Sequence, residues 1–406
     1  MKLINNAGWL IILLLLNVRL LNAQWSKISL GTTNDLYDLN FTTHGQGYIA
    51  GQGTTIFKTK DSGVSWIKIA PGFSNNLRGI LFKDTGTGFT FGENGNIYKT
   101  NNSAKTWNLK FSFIGSYLYN AAFYDSAIVA VGQRGLIASS RNTGEKWVTD
   151  TVATKRSFYS VVFASGKFWA VGDSGAIYSR TLQRNKWINI SYPTNIRLNN
   201  IQSLNDSVLI ITGGMADTTS VGKFFNIVLF SEDSGKNWEQ ATIAEAKQIN
   251  SAWHFNVDEG YLVGTTGLIV KSLNKGTING RQSTNTSNSI NDIVFLNGKS
   301  GFCAGDGGLL LKTKNTGGFG TDVKSVFTNN YYQLYPNPIL QGDDFIVELS
   351  NEVESLQITD MQGRLIYNNN YMVNNKLTFS GYNAGVYNVS AILISGKIST
   401  SRLFVF

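Results

Sequence analysis

The chain has 406 residues, of which 42% are apolar, 12% aromatic and only 15% charged, with 42 glycines. That is too hydrophobic for a disordered chain. The glycines follow no G-X-Y period, and the short apolar runs broken by Gly and Asn exclude a coiled coil, leaving a turn-rich β protein. The net charge of +9 belongs to the middle: residues 1–23 contribute Lys2 and Arg19, and residues 333–406 sum to −2. Basic residues there are scattered rather than clustered, which steers acidic partners but gives nucleic-acid binding no footprint.

Residues 1–23 open with Lys2, run through the apolar stretch Trp9 to Leu16 and end in Leu21-Asn22-Ala23 before Gln24. This is the layout of a secretory signal peptide. The alternative, an uncleaved anchor, needs an apolar run of roughly 20 residues. No later segment is long enough to span, so the protein is not expected to be integral to the membrane. The one cysteine, Cys303, permits no intrachain disulfide and reads as a buried, inert thiol.

Between the ends the chain repeats. A glycine after a short apolar strand recurs at Gly51, Gly92, Gly132, Gly172, Gly213, Gly264 and Gly305, in steps of 41, 40, 40, 41, 51 and 41. Each is followed by a turn and a second strand, and a tryptophan then opens another at Trp66, Trp107, Trp147, Trp187 and Trp238. A further strand precedes each glycine. Four short strands in about 40 residues describe a propeller blade, and seven units describe seven blades; a linear solenoid usually repeats at a shorter period and needs caps. The seventh unit has Gly320 where its tryptophan should stand, while Trp25-Ser26-Lys27-Ile28 resembles an outer strand with no blade before it. The two defects complement each other, so Trp25–Leu30 should pair beside Leu309–Thr313 and close the ring. The 51-residue step places an insertion near Gly214–Phe224, either a tolerated loop or a binding element.

Two stretches carry a fuller motif. Thr59-Lys60-Asp61-Ser62-Gly63-Val64-Ser65-Trp66 and Ser231-Glu232-Asp233-Ser234-Gly235-Lys236-Asn237-Trp238 fit Ser/Thr-x-Asp-x-Gly-x-x-Trp, the Asp-box, with degraded copies in other repeats, including Thr313–Gly320. Asp61 and Asp233 cap hairpin N–H groups, Gly63 and Gly235 take the left-handed turn, and Trp66 and Trp238 pack into the core. Residues 25–320 resemble the bacterial neuraminidase repeat and, more closely, the photosystem II assembly factor-like (plant stability factor-like) propellers. The resemblance implies structural Asp-boxes, on the face away from the usual site. Residues 333–406 hold Tyr335-Pro336-Asn337-Pro338, then Ile358-Thr359-Asp360-Met361-Gln362-Gly363-Arg364, then Asn383-Ala384-Gly385-Val386-Tyr387, with alternating apolar strands throughout. This segment resembles the type A C-terminal sorting domain of the type IX secretion system; an Ig-like adhesion module is the alternative. The sorting-domain resemblance implies that the type IX machinery handles this tail, and that the protein is secreted or held at the outer cell surface.

The expected fold is therefore all-β: a signal peptide (1–23), a seven-bladed β-propeller (24–320), a linker (321–332) and a small Ig-like antiparallel β-sandwich (333–406). The expected ligand face carries the turns after the repeated glycines. The inner strands there open with Tyr37, Arg78, Tyr119, Tyr159, Asn199, Asn250 and Asn291, and Arg156 and Arg197 lie nearby. Tyr37, Arg78, Tyr119, Tyr159, Arg156 and Arg197 are the candidate ligand-binding residues, suited to a glycan or protein; solvation of the channel rim is the plainer role. A glycosidase needs two carboxyls about 5–9.5 Å apart. The face offers Glu93, Asp173 and Asp306 on non-adjacent blades, and the Phe/Tyr-Arg-Ile-Pro opening motif of sialidases is missing. His44 and His254 are too few for a metal or triad site, and no cofactor fingerprint occurs. The expectation is an exported, non-catalytic binding or assembly module; the alternative is a glycan hydrolase of sialidase or endoglucanase type.

Overall fold

A computed structural model describes residues 25–42, 45–150, 152–184, 186–220, 223–241, 243, 247–273, 275, 278–297, 299–314, 322–325, 332–335, 341–342, 344–349, 353–360, 362–369, 376–394 and 398–405. The expected signal peptide, His44 and Gly320 lie outside the described residues.

Seven antiparallel sheets follow one another: blade 1 over residues 36–69, blade 2 over 77–111, blade 3 over 118–149, blade 4 over 158–189, blade 5 over 198–241, blade 6 over 249–281 and blade 7 over 290–313. Each inner strand packs against the next, and Ile290–Phe295 of blade 7 packs against Leu36–Phe41 of blade 1, so the series is a ring. Second strands such as Gly47–Gly51, Gly88–Gly92 and Gly260–Gly264 are buried at every position, because neighbouring blades cover both faces of a blade's middle strands.

The ring closes as the complementary defects require. Ser26–Ile28 is the outermost strand of blade 7, with Ser26 opposite Lys312, Lys27 opposite Leu311 and Ile28 opposite Leu310. Trp25 is 1% exposed, donates from Nε1 to Gln282 Oε1 at 2.5 Å and meets Phe295 edge-on at 6.0 Å. A buried indole beside a three-residue strand is what anchors so short a closure.

The repeated glycine has a reason other than the turn. At Gly132 an added Cβ would lie 1.9 Å from the Tyr117 carbonyl oxygen, and at Gly264 1.8 Å from that of Gln248. Those carbonyls accept the N–H of the residue after each glycine, as in Gln133 to Tyr117 at 2.8 Å and Thr265 to Gln248 at 3.1 Å. Close backbone approach at the start of every inner strand, rather than a left-handed conformation, excludes a side chain there.

The insertion is a hairpin: Leu209–Ala216 and Phe224–Ser231 stay in register to the pair Ala216–Phe224. Residues 321–332, read as a linker, contain Asp322–Ser325, which pairs with Ile278–Arg281 as a fifth strand of blade 6. The tail forms a three-stranded and a four-stranded sheet around Phe345, Val347, Leu356, Ile358, Val389 and Leu403.

Candidate functional site

In a blade of four antiparallel strands, the second-to-third turn and the link to the next blade emerge on one face. The Asp-box turns emerge on the other. Asp61 Oδ1 accepts the N–H groups of Val64 and Ser65 at 3.0 and 2.9 Å, and Asp233 Oδ1 those of Lys236 and Asn237 at 3.0 and 2.9 Å. The Ser65 hydroxyl, with these N–H groups, holds the Asp61 carboxyl well below the usual range, and the Asn237 N–H leads the bonds that bring Asp233 down to about 2. A Cβ on Gly63 would strike Phe302 of blade 7, and one on Gly235 would strike Trp169 of blade 4. Trp66 meets Phe302 at 6.1 Å, and Trp238 joins the cluster of Trp169 and Leu198.

The opposite face holds the mouth of the channel. Each inner strand carries a register break at its second residue, between Leu36 and Asp38, Leu77 and Gly79, Leu118 and Asn120, and so on through Ile290 and Asp292. The skipped residues are Tyr37, Arg78, Tyr119, Tyr159, Asn199, Asn250 and Asn291, the seven positions singled out by the repeat. A bulge frees a residue from the ladder and re-aims its side chain.

Four of these residues, with Tyr117 and Arg197 beside them, build a stacked arc across five blades. The Arg78 guanidinium carbon lies 4.0 Å from the Tyr37 ring centroid and 5.6 Å from that of Tyr117. Tyr117 and Tyr119 are stacked at 6.3 Å, and Tyr119 and Tyr159 at 5.2 Å. Arg197 lies over Tyr159 at 4.9 Å and donates from Nε to Asn199 Oδ1 at 2.7 Å. Neither Arg78 nor Arg197 forms an ion pair among the described residues, and the buried Arg78 Nε has no acceptor there. Burial raises the pKa of Tyr37, Tyr119 and Tyr159, so their hydroxyls stay protonated as donors at neutral pH. Arg156 stands apart: it is exposed, and among the described residues its side chain reaches only the Ser174 carbonyl, at 3.3 Å. The repeat did not flag Tyr117, which precedes its inner strand.

The remaining positions are amides that bridge blades. Asn199 Nδ2 donates to Ile249 O at 2.6 Å, Asn250 to Ile290 O at 2.9 Å and Asn291 to Leu36 O at 2.9 Å. Deeper in the channel, side chains one residue further accept backbone N–H groups from the following blade. Asp38 Oδ2 accepts from Ile80 at 2.7 Å, Asn120 from Val161 at 3.1 Å and Asp292 from Leu39 at 3.0 Å. They line a cavity of about 280 Å³. Asp38 and Asp292 share the Leu39 N–H; burial raises the pKa of both, and the neighbouring Asp292 raises that of Asp38 further.

The acids of the mouth face are engaged locally. Glu93 Oε2 accepts the Asn76 N–H at 3.2 Å, Asp173 accepts the Ser157 N–H and the Tyr159 hydroxyl at 3.0 Å each, and Asp306 accepts from Asn291 at 2.8 Å. His254 is buried and pushed down to about 4 by desolvation; Cys303 is fully buried and its thiol pushed up.

This is an exported propeller module: a closed seven-bladed ring of Asp-box type followed by a sorting domain, in which no described helix is long and apolar enough to cross a membrane. The chain belongs to the photosynthesis system II assembly factor YCF48 family, whose sequence profile matches residues 18–314. Residues 333–405 match the secretion system C-terminal sorting domain, which implies handling by the type IX system and secretion or attachment at the outer surface. No curated protein sequence matches the chain. Among solved structures, YCF48 from Cyanidioschyzon merolae is 17% identical, with a TM-score of 0.57 over 71% of this chain and 98% of that one. A YCF48 bound to D1 peptide is 18% identical, with a TM-score of 0.58 over 74% and 97%. An ancestral GH74 enzyme is 14% identical, with a TM-score of 0.57 over 93% of this chain and 63% of its own. At these identities the likeness is one of fold.

Proposed function

We propose that this protein is a non-catalytic binding module that takes a carboxylate-bearing protein segment at the mouth of the ring, between Arg78 and Arg197. The observation that carries the reading is the stacked arc. Two guanidinium groups lie over tyrosine rings, with no carboxylate among the described residues paired to them. A preorganised guanidinium offers a planar fork suited to carboxylate, and stacking lowers the entropy lost on binding. The tyrosine faces are largely occupied by one another and by arginine, which favours a peptide with an acidic group over a stacked sugar. The peptide-bound YCF48 structure supports the same class of ligand.

The hydrolase alternative needs a carboxyl pair free to act, and Glu93, Asp173 and Asp306 are each tied to their own blade. The test is a binding screen of the mature chain against acidic and neutral peptides and a glycan array, at two salt concentrations. Salt-sensitive capture of acidic peptides, lost in Arg78→Ala/Arg197→Ala, is the expected result. Product release from the glycans, abolished by Glu93→Gln or Asp173→Asn, would overturn it.

A further inference from the structure

The third and outer strands of a blade pair at a fixed offset. Lys58 faces Ile67, Lys99 faces Asn108, Ser139 faces Val148, Ser179 faces Ile188, Phe230 faces Glu239 and Lys271 faces Gly280. Six blades thus place the outer partner nine residues on. In blade 7 the equivalent third-strand residue is Lys312, whose partner here is Ser26. The same offset from Lys312 reaches position 321, and the strand Asp322–Ser325 starts one residue later. The chain therefore carries two strands that fit one edge: Ser26–Ile28, which holds it, and Asp322–Ser325, which lies antiparallel on the outer edge of blade 6.

We infer that the outer edge of Leu309–Thr313 is a strand-acceptor site with two occupants within the same chain, and that Asp322–Ser325 takes it whenever Ser26–Ile28 is withheld. The sequence reading of Thr313–Gly320 as a degraded Asp-box fits, because that motif leads from a third strand to an outer one. The preference for Ser26–Ile28 comes from the residue before the strand. Trp25 fills the indole position, buried against Phe295 and bonded to Gln282, whereas position 320 is glycine. Either strand satisfies the same open row of N–H and C=O groups, so the ring closes in both arrangements. The two are discrete states. In the hairpin arrangement Asp322–Ser325 would run parallel in sense to Ile278–Arg281, but it now runs opposite to it. The closing strand begins two residues after the expected processing point, so it is tethered to the export signal until cleavage, while the second strand is not.

The experiment compares the mature chain with a form lacking residues 24–29, by hydrogen exchange and by a disulfide between Asn279→Cys and Lys324→Cys, which face each other in the present arrangement. The expected result is that the Leu309–Thr313 amides stay protected in the shortened form. Disulfide yield should fall at least tenfold there, and a synthetic peptide of residues 24–30 should restore it. Loss of protection across Leu309–Thr313 with an unchanged disulfide yield would overturn the inference. Failure of the shortened form to fold would count against it equally, since the substitute strand is still in the chain. A second variant, Trp25→Gly in the full-length mature chain carrying the same two cysteines, should give a disulfide yield between those of the mature and shortened forms; a yield equal to that of the mature form would also overturn it.

Discussion

The two halves of the mouth use one backbone device for opposite ends. Every inner strand has its bulge at the same residue, yet on blades 1 to 4 the freed side chains stack on one another, and on blades 5 to 7 they reach across to a neighbouring backbone. Asn199, Asn250 and Asn291 each satisfy a carbonyl of the following blade, which makes them joints between sheets. Tyr37, Arg78, Tyr119 and Tyr159 make no such bond among the described residues and are held by ring faces, by charge and, for Tyr37 and Tyr159, by a local carboxylate. The difference teaches that position in a repeat fixes where a side chain points, while residue type decides whether it holds the ring together or meets a ligand.

The comparison breaks if the arc proves structural. Replacing both Arg78 and Arg197 by Ala should weaken binding of an acidic peptide about 100-fold, close to 2.7 kcal/mol, with the unfolding midpoint almost unchanged. Calorimetry and a thermal melt on the same samples check both halves of that statement. The amide half should behave inversely. Asn250→Ala or Asn291→Ala strands a carbonyl of the next blade and should cost about 1–3 kcal/mol of stability, read by denaturant unfolding, with little change in peptide affinity. Tyr159→Phe keeps the ring in the stack but removes the hydroxyl from Asp173. Its stability cost should be about 0.5–1.5 kcal/mol, and a much larger loss would move Tyr159 from the binding half to the structural one.

Much of this was legible in the residues. The period fixed the blade count, and the likeness of Trp25-Ser26-Lys27-Ile28 to Trp66-Ile67-Lys68-Ile69 located the closing strand before any pairing was known. The bulge ring was legible as positions but not as bulges, because a register break is a property of two strands. Tyr117 lay one residue outside the repeated strand, so periodicity had no means of weighting it. The Asp38–Asp292 junction joins residues from opposite ends of the ring, and only closure brings them together. The fifth strand of blade 6 was hidden for a related reason: Asp322–Ser325 reads as a linker unless its distance from Lys312 is compared with six other blades. The glycine drumbeat was visible, but its cause, a carbonyl under 2.3 Å from where a Cβ would stand, is a tertiary fact.

The pH-dependent effect concerns the place where the two halves meet, blade 7 against blade 1. Asp38 and Asp292 face each other there around the Leu39 N–H, with Ser251 bonded to Asp292 and the Cys303 thiol close by. Burial pushes Asp292 up to about 6, above the ~3.9 of an exposed aspartate. The folded state therefore holds this proton more tightly than the unfolded chain does. Its stabilising contribution is complete below pH ~4 and is lost as the pH rises through about 6. Asp38, raised by the same burial, acts in the same sense, while His254, pushed down to about 4 from 6.5, acts in the opposite one and loses stability as the pH falls through that interval, so the parent profile alone mixes the three. Asp292→Asn isolates the carboxyl by imitating its neutral form. The stability difference between variant and parent should grow by about 2 kcal/mol in favour of the variant from pH 4 to pH 8, measured by urea unfolding at each pH. A difference that stays flat, or grows toward low pH, would mean that the junction holds an ordinary ionised aspartate, leaving the seam between the two halves no weaker at high pH than elsewhere in the ring.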